Sequence, residues 1–276
     1  MTSRSERVLT YGILLLASVY AVYPLLSILF LALNEPGSLR TGLALPTEPS
    51  LESFRRAWFE GGFDHALLSS FIITASVVVA SVFLSILTAY AFGTMSFRGR
   101  GVLFAFLLFG VVVPWEATVY PLYYDAQRLG LTDSYLAVIL PEIGLSVAFG
   151  TFWLRAFFLS APRQLMDAAR VDGASSWTIL WRVLVPLGIP AIVTLAILLF
   201  VFSWNDFLLA LVMIQDDSTW TAPVALASFA GRQYDTAELR EIVAASSVLV
   251  ALPILVIYIA LQRQFMRGLL TGSVKE

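Results

Sequence analysis

Residues 167–186 read DAARVDGASSWTILWRVLVP and lie between two long apolar segments. Four of these residues are ionisable, namely Asp167, Arg170, Asp172 and Arg182, whereas the flanking segments contain almost none. Ionisable side chains are costly inside the hydrocarbon of a bilayer. The stretch is therefore predicted to be a loop held at a membrane surface between two spans.

Local signals within this loop predict a short helix, a bend and a second helix. Pro162 can open the first helix, because the first helical position needs no N–H donor. Residues 163–171 consist largely of good helix formers, and Asp172-Gly173 is typical turn chemistry that ends the helix. The candidate caps are Ser160 for the first helix and Ser175 or Ser176 for the second.

The spacing of these residues resembles the EAA loop, the signature of the membrane subunits of ABC importers. That signature is Glu-Ala-Ala, three residues, Gly, nine residues and then Ile-x-Leu-Pro. Here Asp167-Ala168-Ala169 is followed by Gly173 after three residues, and Val183-Leu184-Val185-Pro186 follows after nine more. The first position departs from the signature, with Asp in place of Glu. Because Asp is one methylene shorter, the contact that this carboxylate makes would be shifted or weakened.

Composition independently predicts an all-α polytopic membrane protein. The chain is 59% hydrophobic and 13% charged, against about 25% charged residues in a soluble domain. Cysteine is absent, which excludes disulfides and thiolate metal sites. The one lysine is Lys275, so the chain lacks the Gly-Lys-Ser/Thr of a P-loop. We therefore expect no cofactor in this chain and no nucleic-acid partner, and any ATPase must be another polypeptide.

Runs with few or no charges predict six transmembrane helices, since each run supplies the roughly 20 residues that a helix needs to cross hydrocarbon. The first run is retained rather than cleaved, because it is too long for a signal-peptide core. The whole chain, residues 1–276, is predicted to form a single permease domain. The predicted spans are about 8–33, 67–95, 101–121, 134–156, 184–214 and 242–262, with a coupling loop at 160–183 and outer loops at 34–65, 122–133 and 215–241.

The distribution of arginine and lysine predicts the orientation. Six spans place both termini on one side, together with the coupling loop. That side carries 11 of the 17 basic residues, whereas the opposite loops carry most of the acids. The termini and the coupling loop are therefore predicted to be cytoplasmic, on a cell membrane that the protein crosses several times. An EAA loop must also face the cytoplasm, where ATP is found.

Two further stretches resemble the MalG-like branch, the second permease subunits of carbohydrate importers. The tail QRQFMRGLLTGSVKE at 262–276 is close to the branch's ending, and Trp204-Asn205-Asp206 looks like its WND stretch. The outer loop at 34–65 also looks like the first outer loop of the branch. The resemblance covers nearly the whole chain and implies a permease of a bacterial or archaeal (inner) membrane that imports a sugar or polyol.

The resemblance also implies partners and residue roles. The partners would be a second, MalF-like permease subunit, a dimer of ATP-binding subunits, an extracytoplasmic substrate-binding protein and the lipid bilayer. In the coupling loop, Asp167 would meet a basic or hydroxyl group in an ATPase cleft, Ala168 and Ala169 would permit close approach, and Gly173 after Asp172 would supply the bend. The C-terminal tail, from Gly268 to Lys275, would also reach the ATPases.

Three acidic residues lie within the predicted spans and are candidates for function. For Glu116 and Glu142, which each follow a proline near the outer half of a span, a headgroup position or a polar neighbour is favoured. Asp206 lies deeper in its run, and Trp204 and Asn205 beside it supply the stacking and hydrogen-bonding groups that a sugar site needs. A substrate-pathway role for Trp204, Asn205 and Asp206 is weighed evenly against an interhelical hydrogen bond.

Two other classes of protein remain as alternatives at this point. An ion-coupled secondary transporter could use Glu116, Glu142 and Asp206, but it has no use for the EAA-like loop. A membrane protease needs a buried Ser–His pair, and the one histidine, His65, lies in a predicted outer loop. The sugar that an importer of this type would carry cannot be read from the chain.

Overall fold

The protein is described by a computed structural model that covers residues 4–38, 45–46, 48–231 and 239–273, with side chains as far as Gln262. Parts of the predicted outer loops at 34–65 and 215–241 and the end of the predicted tail, residues 274–276, lie outside the described residues. Within the described residues all regular structure is helical, which agrees with the predicted all-α class. The α-helices are α1 Arg4–Ala32, α2 Glu52–Phe59, α3 Phe63–Thr94, α4 Arg100–Val112, α5 Trp115–Arg128, α6 Tyr135–Ser160, α7 Arg163–Val171, α8 Ser176–Ile179, α9 Val185–Trp204, α10 Leu208–Met213, α11 Ala222–Gly231 and α12 Leu239–Ser273.

Five long apolar stretches of the described chain are able to cross a membrane. They are Arg4–Ala32, Phe63–Thr94, Tyr135–Ser160, Ser176–Trp204 and Leu239–Gln262, and their mean hydropathy lies between 1.6 and 2.6. A sixth span exists if the bent pair α4 and α5 is counted as one. The predicted number of six is met only with this broken helix.

The third predicted span, 101–121, is not continuous. The chain turns by 98° between α4 and α5, where Val113 is extended (φ −63°, ψ 128°) before Pro114. A proline disfavours helical backbone at the preceding residue and has no N–H to donate. The 13 residues of α4 span about 20 Å, less than the roughly 30 Å of hydrocarbon. The low number of charges predicted one long span here, but Pro114 ends the helix partway along that stretch.

The fifth predicted span, 184–214, also differs from the observed helix. Helical backbone begins earlier, at Ser176, and passes through a π-helical turn at Leu180–Leu184 before α9. Pro186 follows directly on this turn within continuous helical backbone, so its missing N–H leaves a gap in the helical hydrogen bonds there. At the other end α9 stops at Trp204, and the short α10 follows after a break. Asn205 and Asp206 therefore lie in a break between two helices and not within a continuous helix.

The chain divides into two compact units, residues 1–67 with 222–253 and residues 68–221 with 254–276. In the first unit, Glu241 of α12 is fully buried. Its carboxylate accepts hydrogen bonds from Ser38 Oγ (3.3 Å), Gly37 N (3.4 Å) and Arg240 Nη2 (3.2 Å). These contacts hold the start of α12 to the segment that follows α1. The apolar surface of α1 stays exposed within this unit, as expected of a helix that faces lipid.

The second unit contains the main apolar core, which joins α3, α6 and α9 to the coupling loop. Its buried members are Ile86, Ala89, Tyr90, Leu154, Phe158, Ala161, Met166, Ile179, Leu180, Leu184, Ala191, Leu195 and Leu199. Two arginines donate hydrogen bonds to carbonyl groups at the end of α3. Arg155 Nε donates to Phe92 O at 3.0 Å, and the guanidinium of Arg100 donates to Gly93 O and to Met95 O just beyond the helix. Cations at a helix C-terminus also complement its dipole.

Candidate functional site: a coupling loop and a carboxyl cavity

The first helix of the coupling loop, α7, begins and ends where its sequence predicts. It covers Arg163–Val171, with Pro162 at the N-cap position and Asp172 at the C-cap position. Ser160 does not cap it, because its hydroxyl donates to Phe157 O at the end of α6 (2.7 Å). The proposed cap at Ser160 is therefore wrong, and the extended Ala161 instead separates α6 from α7.

The bend after α7 is a Schellman motif centred on Gly173. Gly173 has φ +80°, a conformation in which a Cβ atom costs roughly 1–2 kcal/mol. Gly173 N donates to Arg170 O (3.0 Å) and Ala174 N donates to Ala169 O (2.9 Å), the pair of bonds that defines this motif. No atom lies within 4 Å of the position a Cβ would take. The requirement for glycine at this site is therefore conformational rather than steric.

The second helix of the loop starts with a side-chain cap. Ser175 Oγ accepts a hydrogen bond from Thr178 N at 3.2 Å, and the two hydroxyl groups lie 3.0 Å apart. The prediction of a cap at Ser175 or Ser176 is confirmed for Ser175. The helical backbone then continues through the π-helical turn into the span.

The two faces of the coupling loop differ in character. On the inner face, Met166, Ile179 and Leu180 are buried against the core of the spans, and Ala169 packs beside them. On the outer face, Asp167, Ala168, Asp172 and Gly173 are exposed. Three apolar side chains of the loop are exposed as well, namely Leu165, Val171 and Trp177, of which Val171 is 88% exposed. The loop therefore has one side packed into the core of the spans and another side exposed.

The carboxylate of Asp167 is not free within the loop. Its Oδ1 accepts from Arg170 Nη1 at 3.1 Å, and both side chains are more than half exposed. An exposed pair of this kind contributes at most about 1 kcal/mol. A partner could therefore replace Arg170 at little cost.

A second feature lies in the same unit, a cavity of about 660 Å³ between α4, α5, α6 and the end of α9. Its volume falls within the range of about 300–1,000 Å³ that ligand sites occupy. We call it the carboxyl cavity, because acidic groups from three separate segments line it. Its polar and aromatic lining includes Trp115, Glu116, Glu142, Ser203, Asn205 and Asp206.

The three predicted pathway residues have different positions. Trp204 is 2% exposed and stacks on Phe200 with ring centroids 5.4 Å apart, so it does not line the cavity. Asn205 lines the cavity, and its Nδ2 donates to Val201 O at 2.7 Å. Asp206 also lines it, and its Oδ2 accepts from Ala210 N at 3.3 Å, in the first turn of α10. Asp206 therefore caps a helix and faces the cavity.

Glu142 is the residue that sequence reasoning undervalued. It lies on α6, is only 7% exposed, and neither of its carboxyl oxygens has a hydrogen-bond partner among the described residues. The structure buries this side chain within the unit. The sequence contains one indication of its importance, since Glu142 is the single charged residue between positions 134 and 154. Nothing in the sequence shows that α6 brings it to the same cavity as Asp206.

Comparison with known proteins relates this architecture to a family. The family described as "Binding-protein-dependent transport system inner membrane component" matches residues 81–270. The chain is 34% identical over 257 residues to the trehalose transport system permease protein SugB of Mycobacterium tuberculosis (strain CDC 1551 / Oshkosh), covering 93% of each chain. It is 35% identical over 276 residues to the arabinooligosaccharides transport system permease protein AraQ of Halalkalibacterium halodurans, covering 97% of this chain and 95% of that protein.

A solved structure has the same fold. The chain superimposes on a chain of the crystal structure of a bacterial ABC transporter involved in the import of the acidic polysaccharide alginate, with a TM-score of 0.82 and 24% identity. The superposition covers 96% of this chain and 99% of that one. The fold and the sequence relationship agree, and the chain belongs to the family of binding-protein-dependent transport system inner membrane components.

Proposed function

We propose that this chain is one of two permease subunits of an ABC importer for an oligosaccharide, disaccharide or polyol. Its relatives include permeases named for trehalose and arabinooligosaccharides. The second permease completes the pathway, two separate ATP-binding subunits drive it, and an extracytoplasmic binding protein delivers the substrate. Both termini and the coupling loop face the cytoplasm.

The observation that carries this proposal is the two-sided coupling loop. ATP-driven closure of the ATPases pushes on Asp167, Ala168, Asp172, Gly173 and the exposed Val171 and Trp177. The push reaches α3, α6 and α9 because Met166, Ile179 and Leu180 are packed in their core. Densely packed interiors transmit small shifts rather than absorb them. The spans then move between inward-open and outward-open states, biased by nucleotide at one end and by the loaded binding protein at the other.

The carboxyl cavity supplies the substrate contacts of this subunit. Asn205 and Asp206 offer hydrogen-bonding groups beside the ring of Trp115, a combination that suits a sugar. Their position at the break between α9 and α10 supports this role, because the break exposes polar groups that a continuous helix would not present. The buried Trp204 acts behind them, through its stacking on Phe200, as a support for the break.

The test is transport by the complete importer in proteoliposomes. This chain, its partner permease, the ATPase pair and the binding protein are reconstituted, and uptake of labelled trehalose and an arabino-oligosaccharide is followed. Uptake should require internal ATP and the binding protein. Uptake by this chain without the ATPase, driven by a proton gradient, would instead establish the ion-coupled alternative.

The chain's lack of cysteine allows its orientation to be tested without background labelling. A cysteine at Ser175 should react with an impermeant maleimide only after permeabilisation, whereas one at Ser218 should react from outside. The reverse pattern would overturn the orientation.

A further inference from the structure

The carboxyl cavity contains acidic side chains and no basic ones among its described lining residues. Glu116 lies in the first turn of α5, Glu142 in α6 and Asp206 after α9, so three distant segments contribute. The remaining polar groups are neutral, and the rest of the lining is apolar or aromatic. Among these lining residues, the carboxyl groups are the only charged or ionisable groups that a charged ligand would meet.

Glu142 distinguishes this cavity from an accidental group of acids. Its carboxyl is more than nine-tenths buried, lines the cavity, and has two oxygens without hydrogen bonds among the described residues. The nearby Ser203 hydroxyl lies 3.4 Å from Thr74 Oγ1 and has a single proton to donate, so even if it turned to Glu142 one carboxyl oxygen would stay without a hydrogen bond. Buried polar groups without a partner are rare and call for an explanation. A ligand group that fills the cavity supplies the missing hydrogen bonds.

The chemistry of these groups restricts that ligand. An ionised carboxylate accepts hydrogen bonds from hydroxyl or ammonium groups, and a protonated carboxyl both donates and accepts. In neither form does it supply the positive charge that a buried anion requires. Uncharged sugar hydroxyls suit the cavity in both forms, whereas a uronate carboxylate does not.

From this geometry we infer that the carboxyl cavity selects against acidic saccharides, and that Glu142 forms hydrogen bonds to a hydroxyl group of an uncharged sugar. This inference rests on the proposed function and specifies its substrate class. The fold alone does not decide the class, since the alginate transporter of similar fold is described as importing an acidic polysaccharide. Unfavourable contacts with the wrong ligand are a common source of specificity.

Charged thiol reagents test this selectivity without a binding protein, which would otherwise filter the ligands before they reach the cavity. Ser146 lines the cavity one helical turn after Glu142, so a cysteine there reports the local charge. In the assembled, detergent-purified complex with cysteine-free partners, a Ser146→Cys variant is treated with trimethylammonium-ethyl and sulfonato-ethyl methanethiosulfonate. The ratio of the two rates is divided by the ratio for a simple thiol in the same buffer.

In a buffer alkaline enough to ionise the buried carboxyls, the cationic reagent should be favoured roughly tenfold or more, as expected of a cleft lined by one sign of charge. Glu142→Gln and Asp206→Asn should each lower that preference. Asp217→Asn removes an exposed acid outside the cavity and should leave it unchanged. The inference would be overturned if the normalised ratio of the cationic to the anionic reaction rate were one or below. It would also be overturned if neither Glu142→Gln nor Asp206→Asn changed that ratio.

The role of Glu142 in hydrogen bonding is tested in the transport assay. Glu142→Gln should keep a large part of trehalose or arabino-oligosaccharide uptake, whereas Glu142→Leu should lose it at normal membrane levels. Equal uptake by both variants would contradict the role. Failure of the proposed function would abolish ATP-driven uptake in the unaltered complex, whereas the thiol measurement needs no transport, so the two failures are distinguishable.

Discussion

The coupling loop and the carboxyl cavity lie in the same compact unit but are built in opposite ways. The loop draws its residues from one continuous stretch, and local backbone chemistry fixes its shape. The cavity draws its acids from three segments, and tertiary packing alone brings them together. The loop carries its functional groups on an exposed surface, whereas the cavity keeps Glu142 buried and without a partner. The loop should therefore be sensitive to backbone changes, and the cavity to changes of side-chain chemistry.

The largest effect is expected at Gly173. Proline cannot adopt φ +80° and would remove the N–H that bonds to Arg170 O. We expect Gly173→Pro to abolish uptake while the spans still insert, because α8 would leave the bend at the wrong angle. Uptake, ATPase activity and membrane levels of the complex are measured together.

Gly173→Asn is the matched control, because asparagine tolerates positive φ better than other residues with a side chain. It should keep most of the coupling. Gly173→Asp should fall between these two variants, since open space surrounds the site and only conformational strain opposes it. Wild-type transport by a well-assembled proline variant would contradict the docking role of the loop.

The next largest effect is expected at Asp206, where side-chain chemistry should decide the result. Asp206→Leu removes the acceptor for Ala210 N and the polar group in the cavity, whereas Asp206→Asn retains an acceptor. Losing a buried hydrogen-bond partner costs about 1–3 kcal/mol, or roughly tenfold to hundredfold in apparent affinity. The Leu variant should lose uptake, and the Asn variant should keep a measurable part.

Stimulation of the ATPase by the loaded binding protein should fall less than uptake does in both Asp206 variants. Normal uptake by both would make Asp206 dispensable for the pathway. If neither variant protein accumulated in the membrane, the role of Asp206 would be structural, through its hydrogen bond to Ala210 N at the start of α10.

The same contrast explains how much the sequence could predict. The limits of α7, the bend at Asp172-Gly173 and the cap at Ser175 depend on neighbours within a few residues, so propensities and turn chemistry were sufficient. The break at Pro114 could also have been predicted locally from the proline itself, but the charge-poor run around it favoured the prediction of one continuous span. The meeting of Glu116, Glu142 and Asp206 depends on how α5, α6 and α9 pack, and no periodicity in one segment encodes that. For the same reason the burial of Trp204 and the exposure of Asn205 beside it could not be predicted.

A smaller effect should separate the two faces of α7, where Leu165 is exposed and its neighbour Met166 is buried in the core. Met166→Ala leaves a cavity and should cost about 2–5 kcal/mol of local stability. It should lower the thermal stability of the purified complex and weaken coupling. Leu165→Ala removes an exposed side chain and should leave thermal stability unchanged while it weakens ATPase binding.

Thermal unfolding and co-purification of the ATPase are measured for both α7 variants. The assignment of faces fails if the two variants have the same effect on both measurements.

The smallest effect is expected at Ser175, where one side-chain hydrogen bond caps α8. Ser175→Ala should cost about 1 kcal/mol, the usual loss for a helix cap. The effect stays small because Ile179 and Leu180 still anchor the segment in the core. We expect a modest fall in the ratio of uptake to ATP hydrolysis, and Ser175→Asp should restore it, since aspartate is also a good cap. A loss as large as that of Gly173→Pro, or no recovery with aspartate, would show that the Ser175 hydroxyl contacts the ATPase directly instead of holding the loop in shape.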